Sequence, residues 1–333
     1  MYKVVSLFAG CGGCDQGIIG DFVFNKINYE KLPFELTYAM DIDQKALNTH
    51  MLNFKGGDIR CADICDVDSA DIPDCDVIIG GFPCQSFSTV NPTKDPFDDR
   101  ANLYKQMVRI VKDKQPLAFI AENVKGLMTL KKGAILEKVK SAFEEAGYTL
   151  SYALLNAADY GVPQKRERLI IVGFRNDLGL KFEFPVETNK YDWVPLSVAV
   201  PELAIDDPKY YFSERAVQGM KNAKPNMKRG LWQSLDEPCL TVTSHLAKVS
   251  LNSRDPVLLV DPERELYRRF TPREAARIQS FPDEFEFSGS ETDAYRQIGN
   301  AVPPVLFWHV TKKVANYLDN TAKYSDKTVV HDI

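Results

Sequence analysis

Cys84 is the residue best suited to covalent chemistry, because it lies within the stretch GGFPCQSFS, residues 80–88. The β-branched run at 76–79 predicts a buried strand that ends in a tight glycine turn. Pro83 fixes its own φ and pushes Phe82 toward extended geometry, which narrows the directions open to the thiol. We therefore expect Cys84 just beyond the carboxyl end of a strand, where open α/β sheets present their chemistry. From this stretch alone, a nucleophile and a small buried hydrophobe both stay open.

Two charged residues stand at the ends of other predicted strands. Glu122 follows the apolar run 117–121, so burial is expected to raise its pKa and keep it protonated, as a general acid requires. Arg168 ends the cluster QKRER, and it adjoins the apolar strand predicted over 169–174. A buried arginine needs a partner, and an anion or a carbonyl group in the site would supply one.

A glycine-rich turn follows the first predicted strand, 4–8, and leads into a helix through Ile18 and Ile19. This order of strand, turn and helix opens nucleotide-binding α/β units. The glycines fall at 10, 12, 13 and 17, a poor match to the G-x-G-x-x-G pattern of dinucleotide sites. The spacing therefore does not favour a pyrophosphate cradle and leaves the ligand open.

Two aspartates end the next predicted strands. Asp41 follows strand 34–40, where a carboxylate can accept from both hydroxyls of a ribose. The polar stretch 21–31 is expected to be an inserted loop. Asp63 is expected at the end of a third strand, 59–64, where it would accept from an adenine amino group or cap a helix.

The elements that must position these residues alternate between strand and helix over the first half of the chain. Helices are predicted over 44–54 and 134–146, and the apolar stripe at Leu103, Met107 and Ile110 predicts another. The alternation stops near residue 185, after which 240–243 is the clearest strand. A capping box at Thr271 starts a helix to about 280, and the last helix is predicted over 305–318.

The composition is that of an ordinary soluble globular protein, with 44% hydrophobic and 26% charged residues among 333. That length allows one large domain and a smaller one. The first ten residues do not resemble a signal peptide, and no run of about 18 apolar residues occurs. We therefore expect a cytoplasmic protein without a membrane segment.

Cysteine usage and charge bound the partners further. Seven cysteines, an odd number, argue against a disulfide framework. The pairs Cys11/Cys14 and Cys61/Cys65 could bind zinc, but their spacing matches no familiar finger and we expect no metal. Residues 215–254 hold 7 Lys and Arg against 2 Asp and Glu, although the whole chain carries −5. Such a basic segment suits a polyanion, and a solvated face is the alternative.

Eight motifs in one order make the chain similar to the DNA (cytosine-5) methyltransferases of bacterial restriction systems. They are SLFAGCGG (6–13), Asp41, Asp63, GGFPCQSFS (80–88), ENV (122–124), QKRER (164–168), RRFTPREAARIQSFP (268–282) and QIGNAVPP (297–304). The resemblance implies an α/β fold, a doubly wound Rossmann-like sheet of the S-adenosylmethionine-dependent methyltransferase type with a second, smaller and irregular target-recognition domain. The implied domains are 1–189 for catalysis and cofactor binding, 190–262 for target recognition, and 263–333 for a return to the catalytic domain.

The resemblance also implies a cofactor, S-adenosylmethionine, which leaves as S-adenosylhomocysteine. It places the glycine turn around the methionine part, Asp41 on the ribose hydroxyls and Asp63 on the adenine amino group. Gln297 would help to close the methionine pocket, and Ile42 stands where the family often has a larger side chain against adenine. The implied cofactor-binding residues are Phe8, Ala9, Gly10, Gly12, Gly13, Asp41, Ile42, Asp63, Ile64, Asn300 and Val302.

The implied reaction begins with addition of Cys84 to carbon 6 of a flipped-out cytosine. Glu122 would donate to ring nitrogen 3, Arg168 would bind the ring carbonyl, and water would remove the carbon 5 proton. Positive charge from Arg166 and Arg168 would favour the thiolate. The implied catalytic residues are Cys84, Glu122, Arg166 and Arg168.

The implied partner is double-stranded DNA, bound by a monomer in the cytoplasm near the nucleoid, and any cognate endonuclease would act separately. The predicted DNA-contacting residues are Gln85, Ser88, Arg215, Lys221, Lys224, Lys228, Arg229, Thr241 and Thr243. Three alternatives stay open: a transfer-RNA cytosine-5 methyltransferase on the same scaffold, a nicotinamide-dependent oxidoreductase, and a catalytically silent DNA-binding module.

Overall fold

The computed structural model describes residues 1–83, 103–222, 232–248 and 256–328. Its strands are β1 (Tyr2–Leu7), β2 (Phe22–Phe24), β3 (Ile27–Tyr29), β4 (Phe34–Asp41), β5 (Asp58–Cys61), β6 (Val77–Gly80), β7 (Ala118–Val124), β8 (Tyr148–Asn156), β9 (Gln164–Lys165), β10 (Glu167–Arg175), β11 (Cys239–Leu240), β12 (Leu258–Asp261) and β13 (Leu266–Arg268). Its helices are α1 (Gly13–Ile19), α2 (Gln44–Asn53), α3 (Leu103–Lys114), α4 (Gly126–Thr129), α5 (Ala134–Glu145), α6 (Glu214–Lys221), α7 (Pro272–Ile278), α8 (Glu291–Asn300) and α9 (Pro304–Thr328).

Seven strands form the central sheet in the order β5-β4-β1-β6-β7-β10-β8. The first five are parallel, whereas β10 runs antiparallel to both of its neighbours. The chain winds outward from β1 to β5 and then returns to the other side of β1 with β6. The predicted doubly wound α/β sheet is therefore confirmed, and its direction reverses between β1 and β6, where such sheets bind ligands.

Helices cover both faces of the sheet, which explains why its central strands are apolar throughout. Strand β6 is fully buried, and so are the first four residues of β7. One core cluster joins α3 and α5 to one face through Met107 and Val139, and another joins α1 and α9 to the other face through Ile18 and Val310. Strands that are buried on both faces have continuous apolar sequences, as β6 and the first four residues of β7 do here.

Several predicted elements are confirmed within one or two residues. Helices α2, α3 and α5 lie where the sequence places them, and Thr271 and Glu274 form the predicted capping box at the start of α7. The stretch predicted as an inserted loop, 21–31, is instead a small hairpin of β2 and β3. Strand β5 ends at Cys61, so Asp63 lies in the turn after it.

The prediction of a strand over 240–243 is wrong beyond Leu240. Strand β11 has only two residues and pairs with β9. The next backbone groups bond to side chains, because Val242 donates its amide to Gln164 and its carbonyl accepts from Arg166. No strand can continue where a ladder partner is replaced in this way.

Several of the described residues of the predicted target-recognition segment, 190–262, pack into the main core. Leu196, Val242 and Leu258 are fully buried in the same cluster as Val4 of the central sheet. A small separate cluster joins Val217, Val257 and Tyr267. The division of the chain into domains therefore stays a prediction. No helix in the described part of the chain is long and apolar enough to cross a membrane.

Candidate active site and cofactor cleft

A cleft of about 880 Å³ lies at the carboxyl edge of the parallel strands. It brings together most of the residues that the sequence singled out, from Phe8 near the start of the chain to Val302 near its end. Those lining it are Phe8, Ala9, Gly10, Gly13, Asp41, Ile42, Asp63, Ile64, Glu122, Arg166, Arg168, Gln297, Asn300 and Val302. The cleft therefore joins the predicted cofactor residues to the predicted catalytic charges.

The glycine turn approaches other backbone closely and faces the cleft. Phe8 and Gly10 have φ of 55° and 56°, and a β-carbon at Gly10 would meet nothing within 4 Å. Gly12, with φ of 97°, does not line the cleft, because a β-carbon there would lie 2.2 Å from the Phe54 ring. At Gly13 the obstacle is the Val302 carbonyl, 2.5 Å away. The loop thus needs glycine for backbone shape as well as for ligand access.

Asp41 holds this loop in place. Its Oδ2 accepts a 2.8 Å bond from the Gly10 amide, and its Oδ1 accepts one of equal length from the Asp43 amide. Burial raises the pKa of the Asp41 carboxyl, and the two backbone donors counter part of that rise. Each carboxylate oxygen can accept a second bond, so a ribose hydroxyl can still be bound.

The adenine end predicted from the sequence is more exposed. Ile42 lines the cleft and is 69% exposed. Asp63 lines the cleft, and its Oδ1 accepts from the Cys65 amide. No helix begins at Asp63, so the helix-cap alternative is wrong, and its adenine role stays a prediction.

The return segment closes the other side of the cleft. Asn300 is exposed at the end of α8, and Val302 is buried against the glycine turn. Gln297 lines the cleft, but its side chain is held by α2: Thr49 donates to its Oε1 at 2.7 Å, and its Nε2 donates to the Lys45 carbonyl. Gln297 thus shapes the pocket by joining α8 to α2.

Glu122 and Arg168 form a buried ion pair at the end of β7 and the start of β10. Arg168 Nε lies 2.8 Å from Glu122 Oε1, and the two side chains are 13% and 12% exposed. Burial raises the pKa of Glu122, as the sequence predicts, although the positive charges of Arg168 and Arg166 offset part of the rise. Burial lowers the pKa of Arg168, and Glu122 counters it. Inside the cleft, burial therefore makes the Glu122 carboxyl easier to protonate than an exposed one, and Arg168 opposes this effect.

Neighbouring residues give this carboxylate room and hold the segment that leads to Cys84. A β-carbon at Gly81 would lie 3.0 Å from Glu122 Oε2. The buried amide of Asn123 donates to the Phe82 carbonyl at 2.8 Å, so β7 fixes the chain just before Pro83. Cys84, Gln85 and Ser88 lie outside the described residues, and their roles stay predictions.

Arg166 is used differently from Arg168. Its side chain is 1% exposed, and its terminal nitrogens donate to the carbonyls of Val242, Gly299 and Ala301. Its charge still acts on Glu122. Its predicted role, which is to favour the Cys84 thiolate, stays a prediction. The hydrogen bonds of its side chain go to the protein backbone.

Cys11 and Cys14, one of the two cysteine pairs considered for zinc, line the cleft. Burial raises the pKa of Cys11 to about 12 and that of Cys14 well above the usual range. Cys11 donates to the Gln297 carbonyl. Among the described residues, no group of three or more His, Cys, Asp or Glu could hold a metal.

The predicted DNA contacts are only partly described. Arg215 is exposed on α6, whereas Lys221 forms an ion pair with Glu265. Thr241 donates its hydroxyl to the Lys165 carbonyl, and Thr243 accepts from the His245 amide. Lys224, Lys228 and Arg229 lie outside the described residues.

Two features of the site were not predicted from the sequence. Arg296 lines the cleft and forms a 3.0 Å ion pair with Asp43, the cap of α2. Beneath the glycine turn, Asp15 and His50 are fully buried, with 3.5 Å between Asp15 Oδ2 and His50 Nε2. A lone Asp or His carries no sequence signal for such a pair.

The sequences similar to this chain point to one chemistry. Residues 2–316 match the model of the C-5 cytosine-specific DNA methylases. The type II methyltransferase M.FnuDI of Fusobacterium nucleatum is 33% identical, over 96% of each chain. M.BsuRI of Bacillus subtilis is 36% identical, over 96% of this chain and 80% of its own.

Solved structures agree on the fold. A protein described as a DNA modification methyltransferase encoded within an E. coli prophage has a TM-score of 0.75 at 25% identity, covering 96% of this chain and all of its own. The S. pombe Dnmt2 methyltransferase has the same TM-score at 21% identity, over 96% and 99%. Together with the cleft and its buried Glu122–Arg168 pair, these matches show that the chain belongs to the C-5 cytosine-specific DNA methylases.

Proposed function

We propose that this DNA cytosine-5 methyltransferase acts through a covalent Cys84 adduct on a cytosine flipped out of a specific duplex sequence. The observation that carries the proposal is the Glu122–Arg168 pair, buried at the cleft beside the segment that leads to Cys84. A proton donor and a carbonyl-binding cation at that place match what a cytosine ring needs when a nucleophile adds to it.

The cleft fits S-adenosylmethionine. Gly10 leaves open space on the cleft side of the turn, Asp41 offers acceptor capacity for the ribose, and the exposed Ile42 offers an apolar surface to adenine. Asn300 and Val302 would hold the methionine end. When bound, this cofactor supplies an electrophilic methyl group on a cationic sulfur.

Carbon 5 of cytosine is a poor nucleophile, so the ring must first be made enamine-like. Cys84 does this by forming a bond from its sulfur to carbon 6. A free thiol with a pKa of about 8.5 is only about 3% thiolate at pH 7, a deficit near 2 kcal/mol. Positive charge from Arg166 and Arg168 offsets part of that deficit.

Glu122 and Arg168 handle the charge that this addition produces. Glu122 donates its proton to ring nitrogen 3, and Arg168 donates to the ring carbonyl oxygen. A positioned acid of this kind contributes roughly 10² to 10⁴ in rate. After carbon 5 has gained the methyl group, water removes the proton that carbon 5 still carries. The electron pair of that carbon–hydrogen bond forms the double bond between carbons 5 and 6 and expels the Cys84 thiolate. The proton on nitrogen 3 returns to Glu122.

The base must leave the stacked duplex to reach these residues, at a cost of a few kcal/mol. Segment 190–262 is proposed to read the target sequence, with lysines and arginines on phosphates. The relatives are named type II methyltransferases, so we also propose a cytoplasmic monomer within a restriction-modification system, with any endonuclease a separate protein.

Replacement of Cys84 tests the proposal. We expect Cys84→Ala to abolish methyl transfer while DNA and S-adenosylhomocysteine still bind, because the thiol acts after both ligands are in place. Cys75→Ser is the control, since that half-buried thiol lies at the opposite edge of the sheet, before β6. Methylated cytosines are mapped by sequencing. Substantial turnover by Cys84→Ala would refute the covalent mechanism.

Transfer RNA is the competing substrate on this scaffold. The curated relatives at 33–36% identity are type II methyltransferases, which favours DNA. A competition between duplex DNA and transfer RNA for a limiting amount of protein decides between them, and we expect methyl groups in DNA alone.

A further inference from the structure

Arg166 lies between two segments that the proposed function gives to different ligands. Its Nη1 donates to the Val242 carbonyl at 3.0 Å, and its Nη2 donates to the carbonyls of Gly299 and Ala301 at 3.0 and 2.8 Å. Val242 stands between Thr241 and Thr243, the predicted DNA contacts. Gly299 and Ala301 flank Asn300, a predicted cofactor contact. One guanidinium therefore holds both segments.

Two buried glutamines hold the same segments along a parallel route. Gln164 accepts from the Val242 amide at 2.9 Å and donates to Gln279 Oε1 at 2.8 Å. Gln279 in turn donates to the carbonyls of Ile298 and Ala301. Both glutamine side chains are fully buried. The backbone of Val242 is thus bonded by its amide and its carbonyl to a network that ends on the cofactor segment.

The two segments also touch directly. A β-carbon at Gly299 would lie 2.2 Å from the Thr243 carbonyl carbon and 2.3 Å from the Ser244 amide nitrogen. That distance leaves no room for a side chain or for water. Movement of either segment must therefore be felt by the other.

The energetics make these contacts cooperative. Separation of the segments would leave the buried donors of Arg166 and the buried amide of Val242 without acceptors, which is unfavourable. A ligand that orders one segment therefore reduces the entropy that the other must still lose, which favours the second ligand. Within the described residues, 239–246 do not line the cleft, so such an effect would pass through the protein.

We propose that Arg166 is a positioning residue that couples cofactor binding to DNA binding by joining the backbone of 241–243 to that of 299–301. This inference rests on the proposed function, which places DNA at the first segment and the cofactor at the second. By linkage, each ligand raises the affinity of the other by the same factor.

The coupling is measured from four dissociation constants, one for each ligand with and without the other ligand bound. The dissociation constant of S-adenosylhomocysteine is measured with and without a duplex that carries the mapped methylation site, and that of the duplex with and without S-adenosylhomocysteine. We expect equal ratios of at least about fivefold in the wild type. In Arg166→Lys the ratios should fall toward one. The lysine ammonium group is compact and cannot bond at the same time to all the carbonyls of both segments that the two ends of the arginine guanidinium reach. A wild-type ratio within about twofold of one, or an unchanged ratio in the variant, overturns the proposal.

Arg175→Lys is the matched control. Arg175 ends β10, the strand that begins directly after Arg166, and it bonds to Asp177 and to the Gln115 carbonyl, away from both segments. It should keep the wild-type ratio. A variant that merely loosened the fold would lower the melting temperature without removing the coupling ratio.

Hydrogen exchange on the wild type decides the question if Arg166→Lys does not fold. Saturating S-adenosylhomocysteine should slow amide exchange in the peptide 239–246. Protection confined to the cleft-lining peptides overturns the inference but leaves the proposed function intact. If S-adenosylhomocysteine does not bind at all, the proposed function fails first.

Discussion

The proposed cofactor side and the proposed base side of the cleft are built from different chemical groups. On the cofactor side, β1 and β4 present backbone: the Asp41 carboxylate fixes the amides of Gly10 and Asp43, and glycine leaves space for a ligand. On the base side, β7 and β10 present a buried ion pair, Glu122 and Arg168, 2.8 Å apart. One side offers shape and a carboxylate bonded to backbone amides, and the other offers two opposite charges bonded to each other.

This difference separates what each side can do. Backbone groups held by the fold cannot gain or lose protons, so they select and orient a ligand. Buried charges interact strongly because the medium screens them weakly, so they can stabilise charge that appears during a reaction. Changes on the cofactor side should therefore alter binding, and changes on the base side should alter rate.

The largest effect is expected from Glu122→Gln. The amide keeps the size of the side chain but cannot deliver a proton to nitrogen 3, so kcat should fall by roughly 10² to 10⁴. Glu167→Gln is the control: Glu167 is half-exposed and paired with Lys125, and a surface pair is worth at most about 1 kcal/mol. Equal kcat losses in both variants would contradict a special role for the buried carboxyl.

A smaller effect is expected from shape changes in the glycine turn. Gly12→Ala and Gly10→Ala share the strain of a positive φ, but only at Gly12 does the new methyl group meet the Phe54 ring. Overpacking of that kind typically costs about 1–3 kcal/mol, so Gly12→Ala should melt well below Gly10→Ala. Gly10→Ala should instead weaken S-adenosylhomocysteine, since its methyl group enters the cleft. Identical melting temperatures would show that the turn tolerates side chains at both positions.

The smallest effect concerns pH and stability. Because burial raises the pKa of Glu122 in the folded protein, the folded state keeps this proton after the unfolded state has lost it. Its stabilising contribution is complete below the unfolded pKa of about 4.3 and is lost as pH rises through the folded pKa. Unfolding free energies should therefore fall with rising pH in the wild type relative to Glu122→Gln. A difference that rises with pH would mean that Arg168 dominates and holds Glu122 ionised.

The sequence predicts the strand-end residues well because they depend on local pattern. A buried run followed by a polar residue places Asp41 and Glu122 at the same edge of a parallel sheet, whatever the rest of the chain does. The capping box at Thr271 is equally local, and the structure contains it. Such predictions need no knowledge of distant contacts.

What could not be predicted depends on segments that are far apart in sequence. Arg166 bonds to Val242, which is 76 positions later in the chain, and to Gly299, which is 133 positions later. No periodicity in the sequence indicates these partners. The same contacts explain the failed strand at 240–243, because buried side chains take the backbone groups of Val242 that a ladder would use. Hydrophobic pattern reports burial, but it does not report which polar side chain reaches which carbonyl.

The most direct test of the separation between the two sides uses one variant from each. Calorimetry gives the dissociation constant of S-adenosylhomocysteine, and single-turnover methylation at saturating cofactor gives the rate. Asp41→Asn loses one acceptor for a backbone or ribose donor, so its dissociation constant should rise by about tenfold or more while its rate stays near that of the wild type. Glu122→Gln should show the reverse, with normal binding and a lost rate. If both variants lose the same quantity, the two sides are not separate and the account is wrong.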